Sequence, residues 1–138
     1  MFSNYASNII LKNAVGKGSQ YFSFVNRAFL ALSSTEPQAN GQGVTEPIGN
    51  GYVRKQLGYY QDTYGQLMGN PENGSITNDQ EIHFNKATGD WGQQRYACIY
   101  DAATGGNLIA WGELTTPITP VENTVPVIAV GGLVISIV

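Results

Sequence analysis

The clearest pattern of hydrophobic and polar positions lies in residues 91–114, WGQQRYACIYDAATGGNLIAWGEL. Within residues 95–101 the side chains alternate, so that Tyr96, Cys98 and Tyr100 share one face of an extended segment. The residues between them point to the opposite face, as the two-residue period of a β-strand requires. This pattern predicts a β-strand that packs differently on its two faces.

A second strand follows after a glycine turn. Residues 107–114 are mostly apolar, which favours a strand covered on both faces or lying at a subunit contact. Gly105 and Gly106 adopt positive φ without steric strain, so they suit a tight connection between antiparallel strands. Asp101 and Thr104 can accept hydrogen bonds from backbone N–H groups of the loop. The whole segment therefore predicts a β-hairpin against which the rest of the chain packs.

The first fifteen residues carry a helical pattern instead. Ser3 or Asn4 can cap a helix over residues 2–14, and Gly16 suits its carboxyl end. The apolar side chains fall on one side at helical spacing: Tyr5, Ile9 and Leu11. A helix this short is marginal when isolated, so we expect its apolar side to dock on the sheet or on a neighbouring subunit.

Shorter apolar runs separated by Gly, Pro and Asn predict four further strands, at residues 24–33, 52–57, 75–78 and 81–85. Residues 34–51 form a long loop rich in Gly and Pro, which we interpret as a contact arm, a functional loop or a solvated excursion. Residues 125–130 and 133–138 flank Gly131 and Gly132, which predicts a second hairpin. We expect residues 1–138 to form one mainly β domain, an antiparallel β-sandwich or jelly-roll-like fold with a short N-terminal α-helix.

The closing segment has a consequence for assembly. Residues 133–138 place apolar or β-branched groups on both faces and carry no charge. An uncovered strand of this composition is prone to aggregate. We therefore expect it to lie centrally in a sheet or to be covered by a partner.

Composition narrows the class of partner. Seven Lys and Arg against ten Asp and Glu give a net charge of −3 without a basic cluster, which argues against a nucleic-acid-binding surface. Only 12% of the residues are charged and 42% are apolar, so part of the surface is expected to be buried between subunits. Residues 1–11 lack the pattern of a secretory signal, and the apolar C-terminal run is too short to span a membrane. We expect a soluble protein that is made in the cytosol.

Candidate catalytic groups are few. One histidine, His83, and one cysteine, Cys98, provide neither a zinc site nor a nucleophile–base pair, and we interpret Cys98 as a core residue. The spacing of the carboxylates selects no acid–base pair among Asp79, Glu81, Asp90, Asp101 and Glu113. Residues 101–107 do not match the ligand spacing of an EF-hand calcium loop. We expect no enzymatic activity, no cofactor and no metal site.

Three tyrosines stand close together in a polar segment at residues 58–75: Tyr59, Tyr60 and Tyr64. Exposed aromatic rings can form a stacking platform for sugars or bases. Tyrosines also commonly pack along a sheet or an interface, so both interpretations stay open.

Several short motifs follow one another along the chain: ALSSTEP at residues 31–37, GYVR at 51–54, DWG at 90–92 and YDAATGGNLIAWGELTTP at 100–117. Their order resembles that in a family of small virion proteins of tailed bacteriophages. Members of this family are often described as tail fibre proteins, and similar small β proteins decorate capsids. The resemblance implies that the motif residues define turns and core positions: Gly51, Tyr52, Arg54, Trp91, Gly92, Asp101, Gly105, Gly106 and Asn107.

The resemblance implies a structural role in the virion, with two alternatives. A capsid decoration protein would form a homo-oligomer, expected to be a trimer, and would bind the major capsid protein. Its contacts are expected at the helix and the long loop, through Phe2, Tyr5, Ile9, Ile10, Pro37 and Pro47. A tail fibre protein would instead bind a host glycan, through Tyr59, Tyr60 and Tyr64. A bacterial or prophage carbohydrate-binding module is a third functional class that stays open. The chain has no fibrous repeat, which favours decoration.

Overall fold

The computed structural model describes residues 1–17 and 26–137 of the chain. In this part, one helix precedes eight strands. They are α1 (Asn4–Ala14), β1 (Arg27–Ser33), β2 (Lys55–Tyr59), β3 (Ser75–Thr77), β4 (Ile82–His83), β5 (Gln94–Tyr100), β6 (Leu108–Ile118), β7 (Val127–Ile128) and β8 (Val134–Ser136). No helix among the described residues is long and apolar enough to cross a membrane.

The central element is an antiparallel four-stranded sheet with the strand order β2-β1-β5-β6. β5 and β6 form the predicted hairpin, in which Cys98 lies opposite Trp111. The connection places Gly105 and Gly106 at φ values of +59° and +77°, a region that residues with a Cβ rarely adopt. Both the hairpin and its glycine turn are therefore confirmed.

The two faces of the sheet bury different residues, as the alternation along residues 95–101 predicts. On the inner face, Ala97 and Ile99 of β5 belong to the main core. On the outer face, Cys98 and Tyr100 belong to a smaller cluster that includes Trp111 of β6. The first four residues of β6 are buried as well, so this hairpin is covered on both sides.

Two antiparallel ribbons, β3–β8 and β4–β7, lie over the inner face. The core between the layers combines sheet residues with ribbon residues, among them Leu30, Leu32, Leu57, Ile82, Phe84, Ile128 and Leu133. The arrangement is a mainly antiparallel, sandwich-like β fold with one short N-terminal helix, as predicted.

The long loop at residues 34–51 covers the outer face. Ala39 and Val44 pack against the cluster around Cys98. The Ser34 N–H donates to the Thr45 carbonyl at 3.0 Å, so the loop folds back on its own base. Part of the loop therefore covers one side of the sheet, whereas many of its residues, such as Ile48 at 93% exposed, face solvent, and its role as a contact arm stays a prediction.

The helix begins at a cap that also ties it to the sheet. The Ser3 hydroxyl accepts a hydrogen bond from the Ala6 N–H at 3.2 Å, which confirms Ser3 as the cap. The Ser3 N–H donates to the Ile109 carbonyl at 2.9 Å, and the Trp111 N–H donates to the Met1 carbonyl at 2.8 Å. Residues 1–3 thus pair with the outer edge of β6 and extend the sheet.

Beyond this first turn, the helix leaves most of its apolar side uncovered by the described residues. Ala6 is its one buried residue, whereas Tyr5 is 42% exposed and Leu11 is 63% exposed. Gly16 has a φ of +75°, as expected just after a helix end. Docking on the sheet is therefore confirmed for the start of the helix only.

The strand predicted at residues 52–57 begins later and ends later, as β2 (Lys55–Tyr59). The reason lies in the strand opposite, where the Leu32 N–H donates to the Tyr52 hydroxyl at 3.1 Å instead of to a backbone carbonyl. Residues 52–54 consequently make side-chain contacts and take no part in the backbone hydrogen bonds between β1 and β2. Of the strand predicted at residues 24–33, β1 confirms the part from Arg27 onwards, and residues 24 and 25 lie outside the described residues.

The predicted closing hairpin is wrong, although its turn exists. The Gly132 N–H donates to the Ala129 carbonyl at 2.9 Å, but β7 pairs with β4 and β8 pairs with β3. Asn78, which is 1% exposed, separates the two arms: its amide donates to the Ala129 carbonyl and accepts from the Leu133 N–H, both at 2.9 Å. β8 does not lie centrally in a sheet, and Val134 is 58% exposed.

Candidate functional site

Arg54 is the centre of an extensive polar cluster in the described residues. Its guanidinium forms a bidentate ion pair with the Glu46 carboxylate, in which Nε donates to Oε1 at 3.0 Å and Nη2 donates to Oε2 at 2.8 Å. The Arg54 side chain is only 7% exposed and that of Glu46 is 25% exposed. Shielding from water and paired geometry make this ion pair much stronger than one on an open surface.

The same guanidinium holds the loop between β5 and β6. Its Nη1 donates to the carbonyls of Ala102 and Gly105 at 2.9 and 2.7 Å. Its Cζ lies 3.7 Å from the centre of the Tyr100 ring, which is a close cation–π contact. We call Arg54, Glu46, Tyr52 and Tyr100 the Arg54 cluster, because together they connect β1, the long loop and the central hairpin.

Tyr52 completes the cluster from the other side. Its hydroxyl donates to Glu46 Oε1 at 2.7 Å and accepts from the Leu32 N–H. Burial and the neighbouring carboxylate raise the pKa of Tyr52 well above its ordinary value. Burial alone would raise the pKa of Glu46, but hydrogen bonds from Arg54 and Tyr52 outweigh it, and this pKa lies below its ordinary value. The cluster is therefore held as an ion pair with a neutral phenol.

The loop itself is braced by Asp101. Its carboxylate accepts hydrogen bonds from the Asn107 backbone N–H at 2.7 Å and from the Asn107 amide at 2.9 Å. A Cβ on Gly106 would come within 2.6 Å of Asp101 Oδ1, so glycine is required at this position. No group of three or more His, Cys, Asp or Glu among the described residues could hold a metal ion.

The remaining motif residues, Gly51, Trp91 and Gly92, form a second group beside the Arg54 cluster. The Trp91 indole N–H donates to the Asn50 carbonyl at 2.8 Å, and the Trp91 ring meets that of Tyr52 edge-on at 5.2 Å between centroids. A Cβ on Gly51 would come within 2.6 Å of the Lys86 carbonyl oxygen, and Gly92 has a φ of +76°. Tyr52 belongs to both places and links them.

Two of the three tyrosines predicted as a platform lie together. Tyr59 and Tyr60 are 5.4 Å apart with their rings at 80°, so they do not form one flat stacking surface. Arg27 covers one face of Tyr59 at 4.2 Å, and the Tyr59 hydroxyl bonds Gln61. Tyr64 is 99% exposed, and no ring contact joins it to the pair in the described structure. The role of these tyrosines in glycan binding stays a prediction.

The residues expected at subunit contacts differ in how far they are exposed to solvent. Tyr5 and Ile10 are exposed, Phe2, Ile9 and Pro47 are half-buried, and Pro37 is buried within the chain. Phe2 packs against the main core beside β6. Of these six residues, Tyr5 and Ile10 of the helix are the most open to a partner, whereas Pro37 is not accessible to one, and the interface stays a prediction.

Most of the candidate catalytic groups have structural contacts. His83 and Glu81 form an exposed pair at 3.0 Å, Glu113 pairs with Arg95 at 3.2 Å, and Asp90 accepts a hydrogen bond from the Glu122 N–H. Cys98 is fully buried, and burial raises the pKa of its thiol to about 12. A thiol in this state is a poor nucleophile, so Cys98 is a core residue as predicted.

Sequence reasoning missed Glu46. It is one of ten acidic residues in the chain and stands in a long polar loop, where an acidic side chain is ordinarily solvated. The sequence offered one indication of an ion pair, which is that Glu46 stands eight residues before Arg54 and shortly before the motif that contains Tyr52. The polar role of Tyr100 was also missed, because its place in an alternating strand explains it as a core residue.

The family model of the podophage GP4 fiber I protein gp80 matches residues 1–136. No curated protein matches the chain. The expected membership of a family of phage virion proteins is confirmed, and this family consists of structural proteins. The chain therefore belongs to the family of the podophage GP4 fiber I protein gp80 and is a structural component of a bacteriophage virion.

Proposed function

We propose that this protein is a subunit of a virion fibre. The observation that carries the proposal is the match of a fibre protein family over residues 1–136, which covers the described fold from α1 to β8. The sequence expectation of a capsid decoration protein depends on the absence of a fibrous repeat. A compact sandwich-like module can form one segment of a fibre that several chains build, so this absence does not exclude a fibre.

The uncovered apolar surface supports assembly of several copies. Leu11 is 63% exposed and Val15 is 71% exposed, and they share one surface of the helix with Tyr5 and Ile9. Contiguous exposed apolar groups of this kind commonly mark an interaction surface. We propose that α1 contributes to contacts between copies in a homo-oligomer, expected to be a trimer. Substitution is a better probe than deletion of the helix, since residues 1–3 pair with β6.

Light scattering on the purified protein tests this assembly. Leu11→Glu introduces a charge into the helix surface and should reduce the oligomer to smaller species. Tyr64→Glu, at a position that is 99% exposed, is the matched control and should leave the molar mass unchanged. An unchanged mass for Leu11→Glu would exclude this helix surface from the contact.

The place of the protein in the virion is tested by its copy number. Quantitative mass spectrometry of purified particles would give the ratio of this protein to the major capsid protein, and gold labelling would show its position. A small fraction with label at the tail supports a fibre. A ratio near one with label over the shell would overturn the fibre proposal in favour of capsid decoration.

A further inference from the structure

A polar cleft of about 400 Å³ opens beside the Arg54 cluster. Its walls are the start of α1, the turn at residues 39–42 and the loop at residues 105–107, and Arg54 and Tyr100 lie among its lining residues. This volume falls within the range of about 300 to 1,000 Å³ that is typical of small-molecule sites. The loop of the long family motif therefore forms one wall of a cleft large enough for a ligand.

The cleft is electrically neutral. Arg54 is the one charged side chain among its described lining residues, and the carboxylate of Glu46 neutralises it through two hydrogen bonds. An anionic ligand would have to compete with Glu46, and a cationic ligand would find no carboxylate in the lining. The charge distribution favours an uncharged polar ligand.

Carboxamide side chains line the cleft and keep part of their hydrogen-bonding capacity. Asn40 Oδ1 accepts from the Gln42 N–H at 3.0 Å, which leaves the Asn40 NH₂ group without a described partner. Asn107 Nδ2 donates to Asp101, which leaves the side-chain oxygen of Asn107, Oδ1, without a described partner as well. The Gln42 side chain is exposed in the same cleft. An amide offers both donors and acceptors, as a ligand rich in hydroxyl groups requires.

Two tyrosines add to this set. Tyr100 is 7% exposed, and its hydroxyl makes no hydrogen bond to the described residues. Gln94 Oε1 is the one buried side-chain oxygen or nitrogen without a partner in the described structure, so the Tyr100 hydroxyl is open to solvent, and a ligand in the cleft can replace the water there. Burial raises the pKa of Tyr100, so the hydroxyl keeps its proton. Tyr5, at 42% exposed, presents an aromatic ring at the rim.

We propose that this cleft binds an uncharged sugar residue of a glycan on the host surface. A neutral sugar combines hydroxyl groups, which match the amides and the Tyr100 hydroxyl, with an apolar ring face, which matches the Tyr5 ring. This inference rests on the proposed fibre function, because it assigns that fibre a receptor. It places the sugar at the central hairpin and not at Tyr59 and Tyr60.

Binding of the purified full chain to a glycan array, followed by calorimetry with the best ligand, tests the cleft. The array carries neutral hexose and N-acetylhexosamine oligosaccharides together with sialylated and sulfated counterparts. Gln42→Ala and Tyr100→Phe each remove one hydrogen-bonding group and should weaken binding about three- to tenfold. Tyr100→Phe keeps the ring under Arg54, so its fold is expected to persist. Tyr60→Ala is the control and should bind normally.

Each outcome has a defined meaning. Binding of neutral glycans that falls with Gln42→Ala and Tyr100→Phe supports the cleft. Binding that falls with Tyr60→Ala alone moves the site to the tyrosine pair and overturns the proposal. Preference for anionic glycans, or no binding on the array, overturns it as well. The copy number in virions is measured separately, so a fibre that binds no glycan is distinguishable from a protein that is not a fibre.

Discussion

Replacement of Arg54 by alanine is the most direct test of how the motif residues stabilise this fold. The substitution removes the two-point contact with Glu46, two hydrogen bonds to the loop carbonyls of Ala102 and Gly105, and the contact with the Tyr100 ring. It leaves Glu46 three-quarters buried, with Tyr52 as its remaining side-chain donor. The loss therefore includes the cost of a carboxylate that burial has separated from water.

The size of the effect follows from the burial of the pair. Removal of one partner from a fully buried ion pair costs about 3 to 5 kcal/mol. Glu46 keeps some contact with water and its bond from Tyr52, so we expect about 3 kcal/mol for Arg54→Ala. For a domain of this size, that loss corresponds to a fall in melting temperature of about 10 °C. Arg54→Lys keeps the charge but loses the planar fork, so its loss should be intermediate.

Arg95 provides a matched control within the same molecule. It forms an ion pair with Glu113 at 3.2 Å, but these side chains are 49% and 61% exposed. Exposed pairs of this kind contribute at most about 1 kcal/mol, so Arg95→Ala should lose about 0.5 kcal/mol or less. The two substitutions remove the same type of side chain, and they differ mainly in burial and in the number of contacts.

Urea denaturation followed by tryptophan fluorescence measures these differences, since Trp91 and Trp111 are both buried. A double-mutant cycle that combines Arg54→Ala with Glu46→Gln isolates the coupling between the two side chains, which we expect to exceed about 1 kcal/mol. Equal losses for Arg54→Ala and Arg95→Ala, or a coupling near zero, would refute the reasoning that the buried cluster stabilises the fold.

Three further predictions concern single groups. The pKa of Glu46 is lower in the folded chain than its ordinary value of 4.5. Its stabilising effect is therefore complete above that pH and is lost as the pH falls through the folded-state pKa. The free energy of unfolding should consequently fall less steeply with decreasing pH in Glu46→Gln than in the unsubstituted protein. The Cys98 thiol, with a pKa raised to about 12, should react with a thiol reagent at pH 8 only when urea unfolds the protein, and rapid reaction of the native protein would contradict its burial. Gly106→Ala, at a φ of +77° and against Asp101, should destabilise by about 1 to 3 kcal/mol in the same assay, whereas Gly112→Ala meets no atom within 4 Å and should cost less.

The elements that sequence reasoning predicts well are those whose information is local. The alternation of residues 95–101 separates the two faces of β5, and each face indeed packs into its own cluster. Gly105 and Gly106 mark the turn because only glycine adopts positive φ there without strain. Ser3 caps the helix by a contact that spans three residues. Each of these patterns is complete within a short window of sequence.

The closing segment shows where such reasoning fails. Gly131 and Gly132 do form a turn, but the strands beside it are separated by Asn78, which lies more than fifty positions earlier in the chain. A local pattern of apolar residues does not encode a partner at that distance. The same holds for Glu46, whose burial depends on Arg54 and on the outer face of the sheet. The candidate cleft combines three separate segments and could not be predicted from any one of them.

The pairing of residues 1–3 with β6 bears on the order of folding during synthesis. The Met1 carbonyl and the Trp111 N–H that it accepts from are separated by almost the whole chain. At about 5 to 20 residues per second, the ribosome needs roughly 5 to 20 s after Met1 to make Trp111. During this interval residues 1–3 have no β6 edge to pair with, and the start of the helix has no sheet on which to dock. Residues 1–14 therefore leave the ribosome well before the strand on which the helix begins to dock, and chaperones that bind nascent chains have access to the helix throughout this interval.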